Sequence, residues 1–367
     1  MTSMIRTLIL DAPGKARFDE QPEPALAAGH FRAETLYTGL SAGTELTWFR
    51  GNNPFLSATW DSELGLFDRS RPSAGYPVRR FGYMEVARVT DSRTAAVPIE
   101  GLVAMAYGHK TVHHGDPMSE HVVPLPADLD PVLGVYVAHL GPICANGLLH
   151  AAADGVVSAG LGDGVRGRLV LVTGGGLIGL LTGLFALQHG AAEVAVADPT
   201  PARRIAAEGL GLTAVDETDD LAGTLKHRWR HGPGDRGADV VFQCRGRAES
   251  LSLALRALRP QGIVVDLAFY TDGAGAVRLG EEFHHNGLSL RCAQIGRVPR
   301  GQAIAWDRRR LSHETILLLE QHGTAIREHL VSDVIPLAQA PQLLTELSQR
   351  RRHVLSAVFE TDAARRG

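Results

Sequence analysis

The stretch Val172–Leu181, "VTGGGLIGLL", decides how this chain is read. It ends the apolar run "RLVLVTG" and opens a second, longer one, so a strand turns directly into a buried helix. Within it, Gly174-x-Gly176-x-x-Gly179 has the spacing of a dinucleotide-binding turn. The first glycine permits the tight turn, the second lets the backbone approach a pyrophosphate, and the third lets helix and strand pack closely. The helix N-terminus then faces the anion. Gly174, Gly175, Gly176, Leu177, Ile178 and Gly179 are therefore expected to hold a nicotinamide dinucleotide.

The sequence around the turn supports it. Asp198 ends the next strand, about 20 residues on, where a carboxylate accepts hydrogen bonds from the adenosine ribose. Such a carboxylate repels a 2'-phosphate and favours NAD over NADP, whereas Arg203 or Arg204 beside it can meet that phosphate. Strands "EVAVAD", "ADVVFQCRG" and "GIVVDLAFY" alternate with helices "PARRIAAEGL" and "SLSLALRALRP", the pattern of a doubly wound parallel α/β sheet. Cys244 and Gly246 form a second turn where the third parallel strand of this pattern ends, and ligands bind at that edge. Cys244 itself reads as a small buried residue rather than a nucleophile, because no base lies beside it in sequence.

The rest of the chain has a different rhythm. Its first part, "IRTLILDAPGKARFDEQPEP" and "HFRAETLYTGLSAG", alternates over a few residues between Pro and Gly, as an irregular antiparallel barrel would. Residues 52 to 80 have weak periodicity and many turn formers, a long loop of the kind that is functional or mobile. An apolar, largely helical stretch from Asp130 reads as a domain junction, and a helix and a final strand, "HVLSAVFET", follow Pro299. At 367 residues two domains are expected. A formal charge of −3 gives no electrostatic reason to expect nucleic acid or a membrane as partner, and points to a small-molecule substrate. Cys144, Cys244 and Cys292 lie far apart without a CxxC pair, as suits a cytoplasmic protein. The N-terminus has no apolar core of signal-peptide length, and no apolar run reaches the roughly 20 residues of a membrane helix.

Taken together, these motifs resemble the medium-chain dehydrogenase/reductase superfamily over nearly the whole chain. "TGLSAGTEL" (38–46) is similar to its "G-I-C-G-T-D-L", "FGYMEVARV" (81–89) to its "G-H-E-x-x-G-x-V", and "ADVVFQCRG...ALRPQGIVV" to its "ADVVxExxG...LRPGGxxV". The "SAGTE" reading resembles the threonine-dehydrogenase-like and bacteriochlorophyllide-dehydrogenase-like branch. The resemblance implies a GroES-like β-barrel catalytic domain from residues 1–140 and 297–367, a Rossmann domain from 141–296, an active site in the cleft and a homodimer. The dimer would pair strands edge to edge in the segment "GIVVDLAFYTDGAGAVRLG" (262–280).

The departures concern metal. Aligned on the family, the zinc-binding cysteine falls on Ala42, the histidine on Tyr83 and the third ligand near Ile143, so zinc is not expected there. Histidines and carboxylates in "YGHKTVHHGDPMSEH", His109, His113, His114, Asp116, Glu120 and His121, with His139, could rebuild a site, but their spacing matches no standard run.

Without zinc, the substrate oxygen needs a proton donor or acceptor. Thr44 matches the family's proton-relaying Ser or Thr and needs a partner. Tyr83, His109 and Lys110 are candidates, a neighbouring cation lowering the phenol's pKa. Each has a plainer reading: Tyr83 as a core aromatic, His109 and Lys110 as a surface pair, His139 as a packed helix residue, Glu45 as a holder of a local backbone amide or an arginine. Trp48, Phe55 and Trp60 would cover the substrate or belong to the core. The expected reaction is oxidation of a polar secondary alcohol, polyol, cyclitol or sugar, or reduction of the matching ketone. A quinone or enone reductase and a catalytically silent dinucleotide-binding scaffold are the rivals.

Overall fold

Strand and helix alternate from Leu169 onward, and in the computed structural model they close into a six-stranded, all-parallel sheet. The structure describes residues 3–70, 72, 74–152, 158–218 and 220–366. It divides into two units, one from residues 1–139 and 331–367 and one from residues 140–330.

In the 140–330 unit the strands lie in the order Thr213–Val215, Glu193–Ala197, Leu169–Thr173, Ala238–Gln243, Leu258–Asp266, Ser289–Cys292. This is the doubly wound order, with the chain reversing direction at Leu169–Thr173. Both faces are covered, so the central strands are apolar throughout rather than alternating: Val170, Leu171 and Val172, and Val240, Val241 and Phe242, are all fully buried. The glycine turn packs as its spacing requires. Gly174 has φ +101°, and a Cβ on Gly179 would lie 1.9 Å from the Gly174 carbonyl oxygen. Only hydrogen at that position lets the helix Leu177–Gln188 start so close to its strand.

Three details depart from the sequence expectation. The strand Thr213–Val215 was not foreseen, so Ala238–Gln243, ending at Cys244, is the fourth strand in sequence rather than the third. Leu258–Asp266 is flanked on both sides, so the segment 262–280 does not offer an open strand for edge-to-edge pairing; that edge of the sheet is Ser289–Cys292. Third, residues 297–330 belong with the parallel sheet and not with the chain ends. The physical reason is the helix Arg308–His329, which lies against the helix Leu140–Ala151 so closely that a Cβ on Gly141 would fall 2.2 Å from the Thr315 side chain. Trp306, buried just before it, donates from Nε1 to the Ser158 carbonyl at 2.8 Å.

In the other unit the two chain ends share a seven-stranded sheet. Ser356–Glu360 pairs antiparallel with Phe31–Leu40, which pairs with Glu85–Ser92, then Leu102–Met105. A hairpin, Met4–Ala12 with Lys15–Pro22, stands beside it. The stretch after Leu40 is not a turn but a helix, Ala42–Arg50. Gly43, Thr44, Thr47 and Trp48 are poor helix formers, which hid it. The helix is secured by tertiary means: Glu45 reaches back to the Ser41 N–H at 2.9 Å, Leu46 and Phe49 are buried, and Gly51 ends it at φ +80°. Within the expected loop 52 to 80, Thr59–Asp61 and Leu66–Asp68 form a hairpin, and Arg71 and Ser73 lie outside the described residues.

Gly179→Ala is expected to lower the unfolding free energy by about 1–3 kcal/mol, the usual cost of overpacking, read by urea denaturation against Gly176→Ala. A Cβ at Gly176 meets nothing within 4 Å, so that control tests the position and not the mutation type.

Candidate active site

The chemistry-bearing residues of the first unit fall into a buried ionic chain and a half-buried hydroxyl cluster in front of it. His109 is fully buried. Its Nε2 lies 2.8 Å from Glu45 Oε2 and its Nδ1 2.6 Å from Thr38 Oγ1. Thr38 donates its hydroxyl to Glu85 Oε1 at 3.1 Å, so its oxygen accepts from Nδ1–H. Glu45 meanwhile accepts from Nε2–H, and a ring that donates from both nitrogens is an imidazolium.

The local electrostatics agree. Burial alone would lower the His109 pKa, but the Glu45 carboxylate outweighs it, with Glu85 adding, and the net shift is upward. Burial pushes Glu85 up, opposed by His109 and by the N–H groups of Tyr107 and Gly108. Gly82, at φ +99°, passes so near that a Cβ would meet the His109 ring at 2.8 Å.

The hydroxyl cluster stands on Glu45's helix. Tyr83 donates to Ser41 Oγ and is also hydrogen-bonded to the Thr44 hydroxyl. The His139 ring packs edge-on to Tyr83 with centroids 4.7 Å apart. Tyr83, Thr44 and His139 are half-buried, so they reach solvent, whereas His109 does not. The expectation that a neighbouring cation lowers the Tyr83 pKa is overturned: burial first, and the Glu45 charge second, push it up to about 12.

Lys110 is not part of this cluster. Its Nζ sits 5.3 Å above the Tyr107 ring, in a cavity of about 520 Å³ lined also by Arg79, Arg80, His113 and Glu120. The surface-pair reading of His109 and Lys110 therefore fails for both: His109 faces the core and Lys110 faces this separate cavity. The sequence signal for the ionic chain was Glu45 in the first helical turn, read as holding a backbone amide or an arginine; it accepts from the Ser41 N–H, and its cationic partner is His109.

The histidine-rich stretch separates into pairs. His113 Nε2 meets Glu120 at 2.7 Å, and His114 Nε2 meets Glu23 at 2.9 Å. Among the described residues, no group of three or more His, Cys, Asp or Glu side chains is placed to hold a metal ion. The family resemblance would put the zinc ligands at Ala42, at Tyr83 and near Ile143, and two alkyl groups with one phenol are a donor set that does not fit zinc.

In the other unit the glycine turn fits a dinucleotide. Gly176 caps the helix Leu177–Gln188, and the space where its Cβ would stand is open, which leaves room for an anion at the helix N-terminus. Asp198 lies below the turn and is fully buried. It accepts from the N–H of Gly175 at 2.9 Å, from the N–H of Thr200 at 2.8 Å and from Arg203 at 3.2 Å. Burial would raise its pKa, but these three donors hold it below the ordinary carboxylate value. Arg204 donates instead to the Asp198 carbonyl and to Asp216. Cys244 carries a thiol pushed well up by burial, which suits packing and not nucleophilic attack. A Cβ on Gly246 would strike the Phe269 carbonyl at 2.2 Å, so this second turn is required by close packing.

Comparison with known proteins gives these sites a context. A family model described as "Zinc-binding dehydrogenase" matches residues 178–303. D-guloside 3-dehydrogenase of Escherichia coli (strain K12) is 25% identical over 341 residues, 92% of this chain and 94% of its own. An alcohol dehydrogenase from Thermotoga maritima superposes with a TM-score of 0.75 at 14% identity, over 98% of this chain and 100% of its own. The 2R,3R-butanediol dehydrogenase from Bacillus subtilis superposes at 0.72 with 17% identity, over 97% and 99%. At these identities the structural matches establish the fold.

The ionic chain makes stability depend on pH in a definite direction. His109 and Glu85 both have folded pKa values above their ordinary 6.5 and 4.5, so the folded chain binds each proton more tightly than the unfolded one. Their contribution is fully present below those values and is lost as pH rises through the folded ones. As pH rises from about 6.5, the ordinary imidazole value, urea unfolding of the wild type should lose stability more steeply than that of His109→Gln. At the lower end the variant should be less stable by about 3–5 kcal/mol, the usual cost of removing one partner of a buried pair.

Proposed function

We propose that this chain, an enzyme of the medium-chain, zinc-type alcohol dehydrogenase family, transfers hydride between a nicotinamide dinucleotide and a secondary alcohol or ketone on a sugar, polyol or glycoside, without zinc. The observation that carries this reading is the cluster of Tyr83, Ser41 and Thr44 hydroxyls, standing where the family resemblance places the metal. The sugar class draws support from the full-length likeness to D-guloside 3-dehydrogenase.

A bound dinucleotide supplies the hydride donor or acceptor, and the turn Gly174–Gly179 holds its pyrophosphate. What the chain must then handle is one proton at the substrate oxygen. A carbonyl receiving hydride becomes an alkoxide, which a positioned donor stabilises as the charge develops. Tyr83, at about 12, is protonated at neutral pH and yet well below the ~15.7 of bulk water. Transfer of its proton to a nascent alkoxide runs downhill. Thr44, hydrogen-bonded to the phenol and in reach of solvent, relays a proton from water back to it, while Ser41 holds the phenol by accepting its hydrogen bond. In the opposite direction the alcohol's proton goes to Tyr83 as phenolate, whose population rises about tenfold per pH unit below its pKa.

Asp198 supports NAD as the preferred dinucleotide, because its carboxylate remains charged in place beside the turn. Arg203 compensates part of that charge at 3.2 Å, so the preference is a modest one. The same reading makes the enzyme a cytoplasmic homodimer, with Ser289–Cys292 as the strand available for pairing. The thiols of Cys144, Cys244 and Cys292 are all free, which suits a reducing compartment. No helix among the described residues is long and apolar enough to cross a membrane.

The test is hydride transfer by protein stripped of metal with a chelator, followed through the reduced nicotinamide over a panel of sugars, polyols and glycosides. Activity should survive stripping, and oxidation should climb with pH across roughly 7 to 9 without a plateau. Tyr83→Phe should lower kcat by about 10²–10⁴-fold at little change in KM. Loss of activity on stripping with recovery on zinc would sink the metal-free mechanism, and turnover confined to enones would replace the alcohol reading. Separately, Asp198→Ala should raise the NADP-to-NAD ratio of kcat/KM about tenfold, a change on the order of 1.4 kcal/mol; an unchanged ratio removes Asp198 from cofactor choice.

A further inference from the structure

Thr44 and Trp48 stand one turn apart on the helix Ala42–Arg50 and so share a face. From Trp48 a row of aromatic rings runs outward. Trp48 stacks on Phe55 with centroids 6.2 Å apart and planes 5° from parallel. Phe55 meets Phe67 at 5.7 Å, and Phe67 meets Trp60 at 5.0 Å on the hairpin Thr59–Asp61 and Leu66–Asp68.

The row is held in place and left uncovered. Gly51 turns the chain out of the helix in the left-handed region, and the buried Asn53 then donates from Nδ2 to Thr47 Oγ1 at 2.8 Å while its Oδ1 accepts from the Phe55 N–H at 3.2 Å. The Phe55 carbonyl accepts from the Ala74 N–H at 3.1 Å. These bonds fix Phe55 against Trp48 instead of leaving it on a free loop. Yet Phe55, Trp60 and Phe67 remain 37%, 42% and 43% exposed. Single exposed apolar residues are ordinary, but a contiguous, ordered row marks a binding surface.

We propose that this row is a subsite for the apolar or aromatic aglycone of a glycoside whose sugar hydroxyl reacts at Thr44 and Tyr83. This deepens the sugar dehydrogenase reading and rests on it. A pyranose at Thr44 spans about one helical turn, ~5.4 Å, so the group attached beyond it falls on Trp48 and Phe55. Flat rings offer that group large contact area and favourable stacking geometry. A free hexose or a linear polyol ends before the row and gains nothing from it.

The experiment compares kcat/KM for the phenyl and methyl glycosides of one sugar in wild type, Phe55→Ala and Trp60→Ala, both exposed positions whose truncation spares the core. Wild type should prefer the phenyl glycoside by about tenfold, and the ratio should fall toward one in Phe55→Ala. Binding of the phenyl glycoside, followed by tryptophan fluorescence, should weaken in the same variant. Turnover of both glycosides with equal kcat/KM in wild type, or a preference that survives both substitutions, overturns the subsite and leaves the dehydrogenase reading standing. No turnover of either glycoside overturns that reading instead; the subsite then survives only if phenyl glycoside binding is seen and is lost in Phe55→Ala. A wild-type oligomer that both substitutions dissolve assigns the row to a second copy of the chain and overturns the proposal.

Discussion

The unit of residues 1–139 and 331–367 is organised around one buried histidine whose pKa its carboxylate neighbours raise. An imidazolium in a protein core is tolerated only with a carboxylate in contact and its remaining donor satisfied. For His109 those requirements are met by Glu45 at 2.8 Å and by Thr38, which passes the interaction on to Glu85. Each partner fixes a different element. Glu45 sets the first turn of the helix Ala42–Arg50 and with it Ser41 and Thr44. Thr38 and Glu85 set the register of two neighbouring strands. Gly82 has to lack a side chain because the ring fills that place, and this positions Tyr83. The hydroxyl cluster therefore sits where it does because a charge behind it must be neutralised. A buried ion pair adds little net stability compared with apolar residues of the same volume, so what this one provides is placement.

The same dependence explains why the two units were unequally legible. The dinucleotide turn is written locally: Gly174, Gly176 and Gly179 lie within six residues, and their spacing alone states which positions cannot carry a Cβ. The sheet's central strands were equally plain, because burial on both faces makes them continuous apolar runs. Thr213–Val215 and Ser289–Cys292 escaped because they are short edge strands, with none of their residues buried. In the other unit the decisive contacts join residues 64 and 71 positions apart, Glu45 and Thr38 to His109, and no periodicity encodes such pairings. His109 and Lys110 are adjacent in sequence, and both lie between the strands Leu102–Met105 and Val112–Gly115, where no alternation pattern says which way each side chain goes. One enters the core and the other a separate cavity, a distinction that a loop reading could not make.

The helix Ala42–Arg50 shows the limit from another side. Four of its nine residues, Gly43, Thr44, Thr47 and Trp48, are weak helix formers, and tertiary contacts make up for them: Glu45 reaches the Ser41 N–H, Phe49 and Leu46 enter the core, and Gly51 stops the chain. Once helical, the segment places Thr44 and Trp48 on one face, which as a loop it would not do. The proton chemistry and substrate contact proposed for this face thus rest on a secondary structure that the sequence disguised.

In the metal-free reading, a cluster of hydroxyls takes over work that a cation does elsewhere, and the exchange is not symmetrical. A metal ion presents fixed positive charge and stabilises an alkoxide whichever way hydride moves. Tyr83 presents a neutral donor, and the Glu45 charge behind it raises its pKa and keeps its proton on. Such a site stabilises the alkoxide only by giving up that proton, so its electrostatic contribution is smaller than a cation's. The difference must come from holding the substrate in a reactive orientation, where binding at a distance from the reacting carbon substitutes for charge at it. A rigid aromatic row one helical turn from Thr44 is the kind of device such a site requires, and the weaker its proton chemistry, the more its rate depends on the part of the substrate that does not react.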